Sequence, residues 1–505
     1  NNYVRINNKE VKYMKAILPH SFYIFASQFT LESMLNQISF LSYHIFCNPD
    51  EATKCFAKTF NYTITINHRV IKGKTNVVQT WIIDLYYDLV VTENYGEKDI
   101  SKDETIYLIT LYNDYCNVRD KKLSKKDILL FVYGFFGEQK DFQTNFSFKE
   151  RFSREKYILD NLSCKEHSDN TFGINIPDKF VEITGYTTDC YSALVYFILL
   201  LFIQSNGVIS QSQIPLLNSE IFTQENIITV LNQHSADIDD IRNSSLKRQF
   251  LYTKPILKIG EKYISANAFL INALFENSNY WILRNDYQRI HSQHFINAFG
   301  IYFEMYVEEV LKNCLSNGKF SKIPTENDEK RADWIINIEN YTFIVEQKSS
   351  LSLLGIKQNQ PDIEAMKRHI LKTWGEAVRQ LNETQAALSL DTPIKIILVY
   401  EDYYKAECLE ELFRLDSEIV NDYNYWLMTI NEFEMLFHTY KTNTELFFDI
   451  IANKIKLEHT QSHEGREMEL LLSQKGISEN LYIQESGIIQ QYQRIEELVR
   501  SISNN

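Results

Sequence analysis

The chain has 505 residues, 44% of them hydrophobic and 23% charged, a balance that suits a soluble globular protein of two or three domains. Its 52 Lys and Arg against 66 Asp and Glu give a net charge of −14, which excludes a general polyanion binder and restricts any nucleic-acid contact to a local basic face. Seven scattered cysteines (47, 55, 116, 164, 190, 314 and 408) form no CxxC, and the N-terminus has no apolar signal core. Buried thiols in a reducing, cytoplasmic setting are the expectation.

In chain order, residues 1–290 mix helical patterns with strand-like runs, TWIIDLYYDLVV at 80–91 and TIYLITLY at 105–112. They read as an α+β region of unassigned fold that serves regulation, substrate recognition or partner binding. The most apolar run, SALVYFILLLFI at 192–203, falls short of the roughly 20 residues of a membrane helix and reads as a buried helix or strand.

From 291 the patterns become regular. HFINAFGIYFEMYVEEVLKNCL (294–315) spaces Phe299, Phe303, Val307, Val310 and Cys314 as one helix face. GKFSKI (318–323) is a candidate strand, and 332–338 and 341–348 read as two strands around Glu339-Asn340. A long helix follows at 361–388, opened by Pro361 and faced by Ile363, Met366, Ile370, Trp374, Ala377 and Leu381. IKIILVY (394–400) has the continuous apolar character of a strand covered on both faces, and NYWLMTI (424–430) suggests another strand before a helix through NEFEMLFHTY. Residues 291–445 therefore describe an α/β domain, a mixed sheet flanked by helices. The tail, 446–505, is polar and helical and suits assembly, as a homo-oligomer or with a partner subunit.

The hairpin carries charges at its open end. If Glu339-Asn340 is the turn, cross-strand partners sum to 679 and Asp333 faces Glu346, while alternation puts Lys348 on the same face as Glu346. Two carboxylates so placed need a shared proton or a cation, and their hard oxygens suit Mg²⁺ or Mn²⁺. Such an ion polarises a phosphate and acidifies a bound water, and a nearby lysine orients that water or stabilises developing charge. The outline is one of phosphodiester hydrolysis. An acid-x-Lys triplet by itself means little: Glu138-Gln139-Lys140 repeats it, with Asp127 upstream, after a helix expected between Ser124 and Gly137. A surface salt-bridge ladder is the alternative at Asp333, Glu346 and Lys348.

On Asp333, Glu346 and Lys348, on Gly300, Phe303 and Glu304 in GIYFE, and on Gln380 in AVRQL, residues 291–440 resemble the PD-(D/E)xK, or restriction-endonuclease-like, nuclease superfamily. The resemblance implies Asp333 and Glu346 as metal ligands, with Gln347 joining them. It implies Lys348 as the catalytic lysine, Glu304 as an auxiliary acid and Gln380 as a polar helper. Ala332 stands where the family's motif has proline. The implied activity is Mg²⁺- or Mn²⁺-dependent endonucleolytic cleavage, of DNA in preference to RNA, and a long N-terminal region joined to such a domain resembles bacterial antiviral defence effectors. A catalytically inactive chain that keeps the fold to bind nucleic acid or to scaffold a complex is the alternative. A protein-interaction module whose hairpin acids are surface charge is a third.

Between Gly318 and Gln380, ten Lys and Arg stand against nine Asp and Glu, so the acidity of the chain lies elsewhere. Lys357, Lys367, Arg368, Lys372 and Arg379 are thus candidates for phosphate contacts or, equally, a solvated helix face. His291 with His294, His459 with His463, and His44 with Cys47 and Cys55 lack further ligands in register and read as solvated or capping residues. No nucleotide-binding glycine loop is present.

Overall fold

The computed structural model describes residues 3–6, 9–12, 20–47, 57–93, 95–123, 148–165, 174–290, 293–324, 330–351, 363–400, 408–460 and 466–504. The triplet at Glu138 with Asp127 and its helix, Lys357, His291, His463 and Cys55 lie outside them.

One sheet organises the C-terminal half. Its strands are β1 (Phe320–Lys322), β2 (Trp334–Ile338), β3 (Tyr341–Lys348), β4 (Ile394–Val399) and β5 (Tyr425–Thr429), arranged β5-β4-β3-β2-β1. β1, β2 and β3 pair antiparallel; β3, β4 and β5 pair in parallel. The connections dictate this pattern. Short links suffice between β1, β2 and β3, whereas parallel neighbours need a crossover. The β3–β4 crossover carries the helices Ile363–His369 and Gly375–Ala387, continuous through a π turn at Ile370–Trp374. β4 is buried at every position, as an interior strand covered on both faces must be.

Helices cover both faces. Ile344, Ile397 and Leu427 meet the stripe of Met366, Ile370, Trp374, Ala377 and Leu381. Trp334, Ile336, Phe343, Val345, Ile396 and Leu398 pack with Phe299, Phe303, Val307 and Val310 of the His294–Cys314 helix and with Phe433 and Phe437 of the Ile430–Thr442 helix. The chain passes from β5 into that last helix at once, because Thr429 and Glu432 form a capping box. The order helix, three strands, helix, strand, strand, helix expected from sequence holds except for one further helix, Cys408–Leu415, which forms the crossover that the parallel pairing of β4 and β5 needs.

The N-terminal half departs from expectation. Residues 80–91 and 105–112 are helical, within Gln79–Val91 and Lys102–Leu123. Almost every side chain of Gln79–Val91 is buried, so its apolar residues run all round the helix and show no 3.6-residue period. Residues 192–203 form the core of the Thr188–Gln204 helix, which Thr187 caps by accepting from the Cys190 N–H. Among the described residues no single helix is long and apolar enough to cross a membrane, although Ile176–Thr184 and Thr188–Gln204 meet those criteria together across a 57° bend.

Tyr492 and Ile495, from the C-terminal Gln490–Arg500 helix, share one apolar cluster with Phe152 and Phe275, so the tail's apolar face is buried inside the chain. Cysteine burial also differs from expectation: Cys314 is buried, Cys190 half-buried, and Cys47 and Cys164 exposed.

Candidate active site

The β2–β3 hairpin turns through Glu339, held in the left-handed region at φ 50°. Its register runs from Ile338 opposite Tyr341 to Trp334 opposite Val345, the expected pairing. One residue further the ladder changes. The Asp333 N–H donates to the Val345 carbonyl at 2.9 Å, so Asp333 and Trp334 together face Val345. This is a β-bulge, a device that re-aims a side chain. The direct opposition of Asp333 and Glu346 expected from register arithmetic is therefore replaced by a bulged one. The displaced ladder bond is remade by the side chain: Asp333 Oδ2 accepts from the Gln347 N–H at 2.7 Å.

Neighbouring elements fix the bulge. The Ile323 N–H donates to the Asp333 carbonyl at 2.9 Å, and the Ala332 N–H to Thr384 Oγ1 at 2.8 Å. Arg331 reaches the Glu383 carbonyl at 3.0 Å. Thr384 lies one helical turn after Gln380, so one helix both anchors the approach to Asp333 and lines the site.

The carboxyls of Asp333 and Glu346 are in hydrogen-bond contact, and Glu346 is only 3% exposed. Glu346 Oε2 is buried with no donor among the described residues. Burial, then the Glu346 charge and Glu304, push the Asp333 carboxyl well above the usual aspartate range against the pull of the Gln347 N–H and Lys348. Burial likewise raises Glu346, against its ion pair with Lys348. Two acceptor-only groups in buried contact need a proton or a cation between them. Mg²⁺ takes one or two protein carboxylates and keeps several waters, so this pair with its orphaned oxygen fits such an ion.

Lys348 donates to Glu346 Oε1 at 2.6 Å and to Gln380 Oε1 at 3.0 Å. An ammonium has three donors, so one remains for a ligand. Asp333, Glu346, Lys348 and Gln380 thus come together at one end of the sheet. Glu304 is close enough to act electrostatically on Asp333, but it forms an ion pair with Lys322 at the end of β1. Gln347 brings only its main chain: its Oε1 accepts from Trp334 Nε1 at 3.3 Å. Among the described residues no three His, Cys, Asp or Glu side chains converge on a metal position.

The basic candidates divide. Lys367 pairs with Glu364 at 3.3 Å and Arg379 with Asp416 at 2.5 Å, while Arg368 and Lys372 are exposed. His294 lies against Tyr287 and His459 against Tyr423 in tilted ring contacts, with ring centres 5.9 and 6.1 Å apart. Sequence reasoning missed Lys322 and the bulge. Lys322 opposes Trp334, and only the β1–β2 pairing brings it to the site. Comparison of the chain with protein-family models, with curated proteins and with solved structures gives no match.

Proposed function

We propose that the chain is a metal-dependent nuclease with the restriction-endonuclease-like fold, its active site at the bulged end of the sheet. The observation that carries this reading is the convergence of the touching Asp333 and Glu346 carboxyls, one oxygen orphaned, with a lysine held by Gln380. A divalent cation held by Asp333 and Glu346 would polarise the phosphodiester and acidify a water.

The chain's own residues supply the rest. Asp333 and Glu346 offer oxygens from rigid strand positions, with Asp333 fixed by the Gln347 N–H. Lys348, pinned by Glu346 and Gln380, presents its remaining N–H to the attacking water or to a phosphate oxygen, where negative charge grows as the water oxygen bonds to phosphorus and the sugar oxygen leaves. Arg368 and Lys372 are the exposed cations best placed in sequence to meet flanking phosphates. DNA is the preferred substrate on the family resemblance.

One observation favours a second reading. Lys348 already pairs with Glu346 and Lys322 with Glu304, an arrangement that also suits an inactive chain keeping the fold to bind nucleic acid or scaffold a complex. The deciding experiment is incubation with single- and double-stranded DNA and RNA in Mg²⁺, Mn²⁺ or chelator, using wild type, Asp333→Ala and Lys348→Ala. Metal-dependent cleavage lost in both variants supports the nuclease. Binding without cleavage supports the second reading.

A further inference from the structure

Outside the sheet, the strands Ala57–Ile66 and Arg69–Val78 form a long antiparallel ribbon closed by Asn67 and His68, both at positive φ (49° and 62°) as a type I′ turn requires. One face buries Phe60, Tyr62, Ile64 and Val77. The other exposes Thr59, Asn61 and Thr63 beside Asn76, Lys74 and Lys72. In a chain of net charge −14, residues 57–78 hold Lys58, Arg69, Lys72 and Lys74 and no acid. Among the described residues Arg69, Lys72 and Lys74 have no acidic partner.

At the base of the ribbon lies an open groove of about 660 Å³, between Thr59, Lys74 and Asn76 on one side and Trp81, Asn113 and Asp114 on the other. That volume is in the range of small-molecule sites. Two polar atoms of its walls, Trp81 Nε1 and Asn113 Oδ1, are buried and have no partner among the described residues. The Asn113 amide is oriented by its far end: Nδ2 donates to the Asn76 carbonyl at 2.8 Å and to Thr75 Oγ1 at 3.2 Å, which leaves Oδ1 as the unmet acceptor. Buried polar groups left unmet are costly and rare, so a donor and an acceptor in the lining of one groove call for a ligand that answers both.

The edge of an unpaired nucleobase offers adjacent donors and acceptors, Asp114 suits an exocyclic amine, and Lys74 suits the attached phosphate. A neutral sugar would leave the lysines unanswered. Lys72 and Lys74 lie on one face two residues apart, about 6.8 Å along the strand, a step comparable with that between successive phosphates of an extended chain. We infer that the groove binds one unpaired nucleotide of a single nucleic-acid strand whose phosphates follow Lys74 and Lys72 along the ribbon. The inference deepens the nuclease reading by naming the surface that holds substrate, and it rests on that reading only for the strand being a substrate.

The test is fluorescence anisotropy of the full chain with a labelled single-stranded 15-mer, as DNA and as RNA, in chelator so that nothing is cut. Lys72→Ala/Lys74→Ala, both exposed, should weaken binding about ten-fold at low salt and flatten the slope of log affinity against log salt by about 1.4, two single-strand phosphates. Trp81→Phe keeps a ring and removes the unmet donor. It should weaken binding about five-fold, leave the salt slope unchanged, and leave the melting temperature unchanged or raised. No binding by wild type, equal affinity in both variants, tighter binding of duplex, or equal competition by a mononucleotide overturns the proposal. Normal binding by these variants alongside Asp333-dependent cleavage sinks this site and spares the nuclease; their loss of binding with no metal-dependent cleavage does the reverse.

Discussion

Lys348 donates a hydrogen bond to Gln380 Oε1 at 3.0 Å, joining the end of β3 to a helix 32 residues further along the chain. Glu346 holds the same ammonium from the other side at 2.6 Å. Ala377 and Leu381 bury the helix against the sheet, so Gln380 is placed by packing and the lysine is fixed before any ligand arrives. Preorganised cations of this sort contribute in the transition state without reorganisation.

Gln380→Leu removes one hydrogen bond to a charged group. Its expected effect is a ten- to hundred-fold lower cleavage rate constant, on the order of 1.5–3 kcal/mol, with substrate affinity little changed. Gln380→Glu keeps an acceptor within reach of the ammonium and is expected to recover most of the rate. Single-turnover kinetics at saturating protein separate the two effects.

Asp333→Asn replaces one of two touching buried carboxyls with a group that can donate to Glu346 Oε2. In chelator the variant is expected to melt at or above the wild-type temperature, because the amide supplies the donor for which the wild-type pair must hold a proton. Mg²⁺ or Mn²⁺ at ten times its dissociation constant should stabilise wild type by about 1.4 kcal/mol and leave the variant unchanged. Thermal melts with and without metal read both.

The raised carboxyls fix the sign of the pH dependence. The folded pair retains a proton that the unfolded chain releases above about pH 4, so this contribution to metal-free stability falls as pH rises through the folded-state values. A bound cation must displace that proton. Metal affinity is therefore expected to rise with pH, by up to about ten-fold per unit while one proton is released, and titrations at several pH values in two buffers of different ionisation heat count it.

Glu150 supplies a second, separable pH effect. Burial and the nearby Glu434 charge raise it to about 7 against the attraction of Arg154. Stability is expected to fall between about pH 4.5 and 7 as the folded protein loses a proton the unfolded chain has already lost. Glu150→Gln should flatten that part of the urea-midpoint profile without affecting cleavage.

The sheet region was legible because its elements differ in period. β2 alternates, β3 and β4 are short runs of mostly apolar residues, and the Met366–Leu381 stripe repeats at helical spacing. Gln79–Val91 was misread because burial on all sides erases the helical period. The bulge at Asp333 was invisible for another reason: it depends on the Ile323 N–H and the Gln347 N–H, partners that exist only once β1 and β3 are in place. The pairing of Glu304 with Lys322 has the same origin, since it joins a helix to the end of β1. The duplicate acid-x-Lys triplet at Glu138 underlines that the surrounding hairpin, rather than the triplet, distinguishes Asp333, Glu346 and Lys348.

The central claim, that Asp333 and Glu346 are a cation site, is tested most directly by Mn²⁺ titration followed by electron paramagnetic resonance of the free ion. Wild type is expected to remove one equivalent of Mn²⁺ from solution, with Mg²⁺ competing, and both Asp333→Asn and Glu346→Gln are expected to lose that binding while remaining folded. Mn²⁺ bound equally by wild type and both variants, or by none of the three, would contradict it.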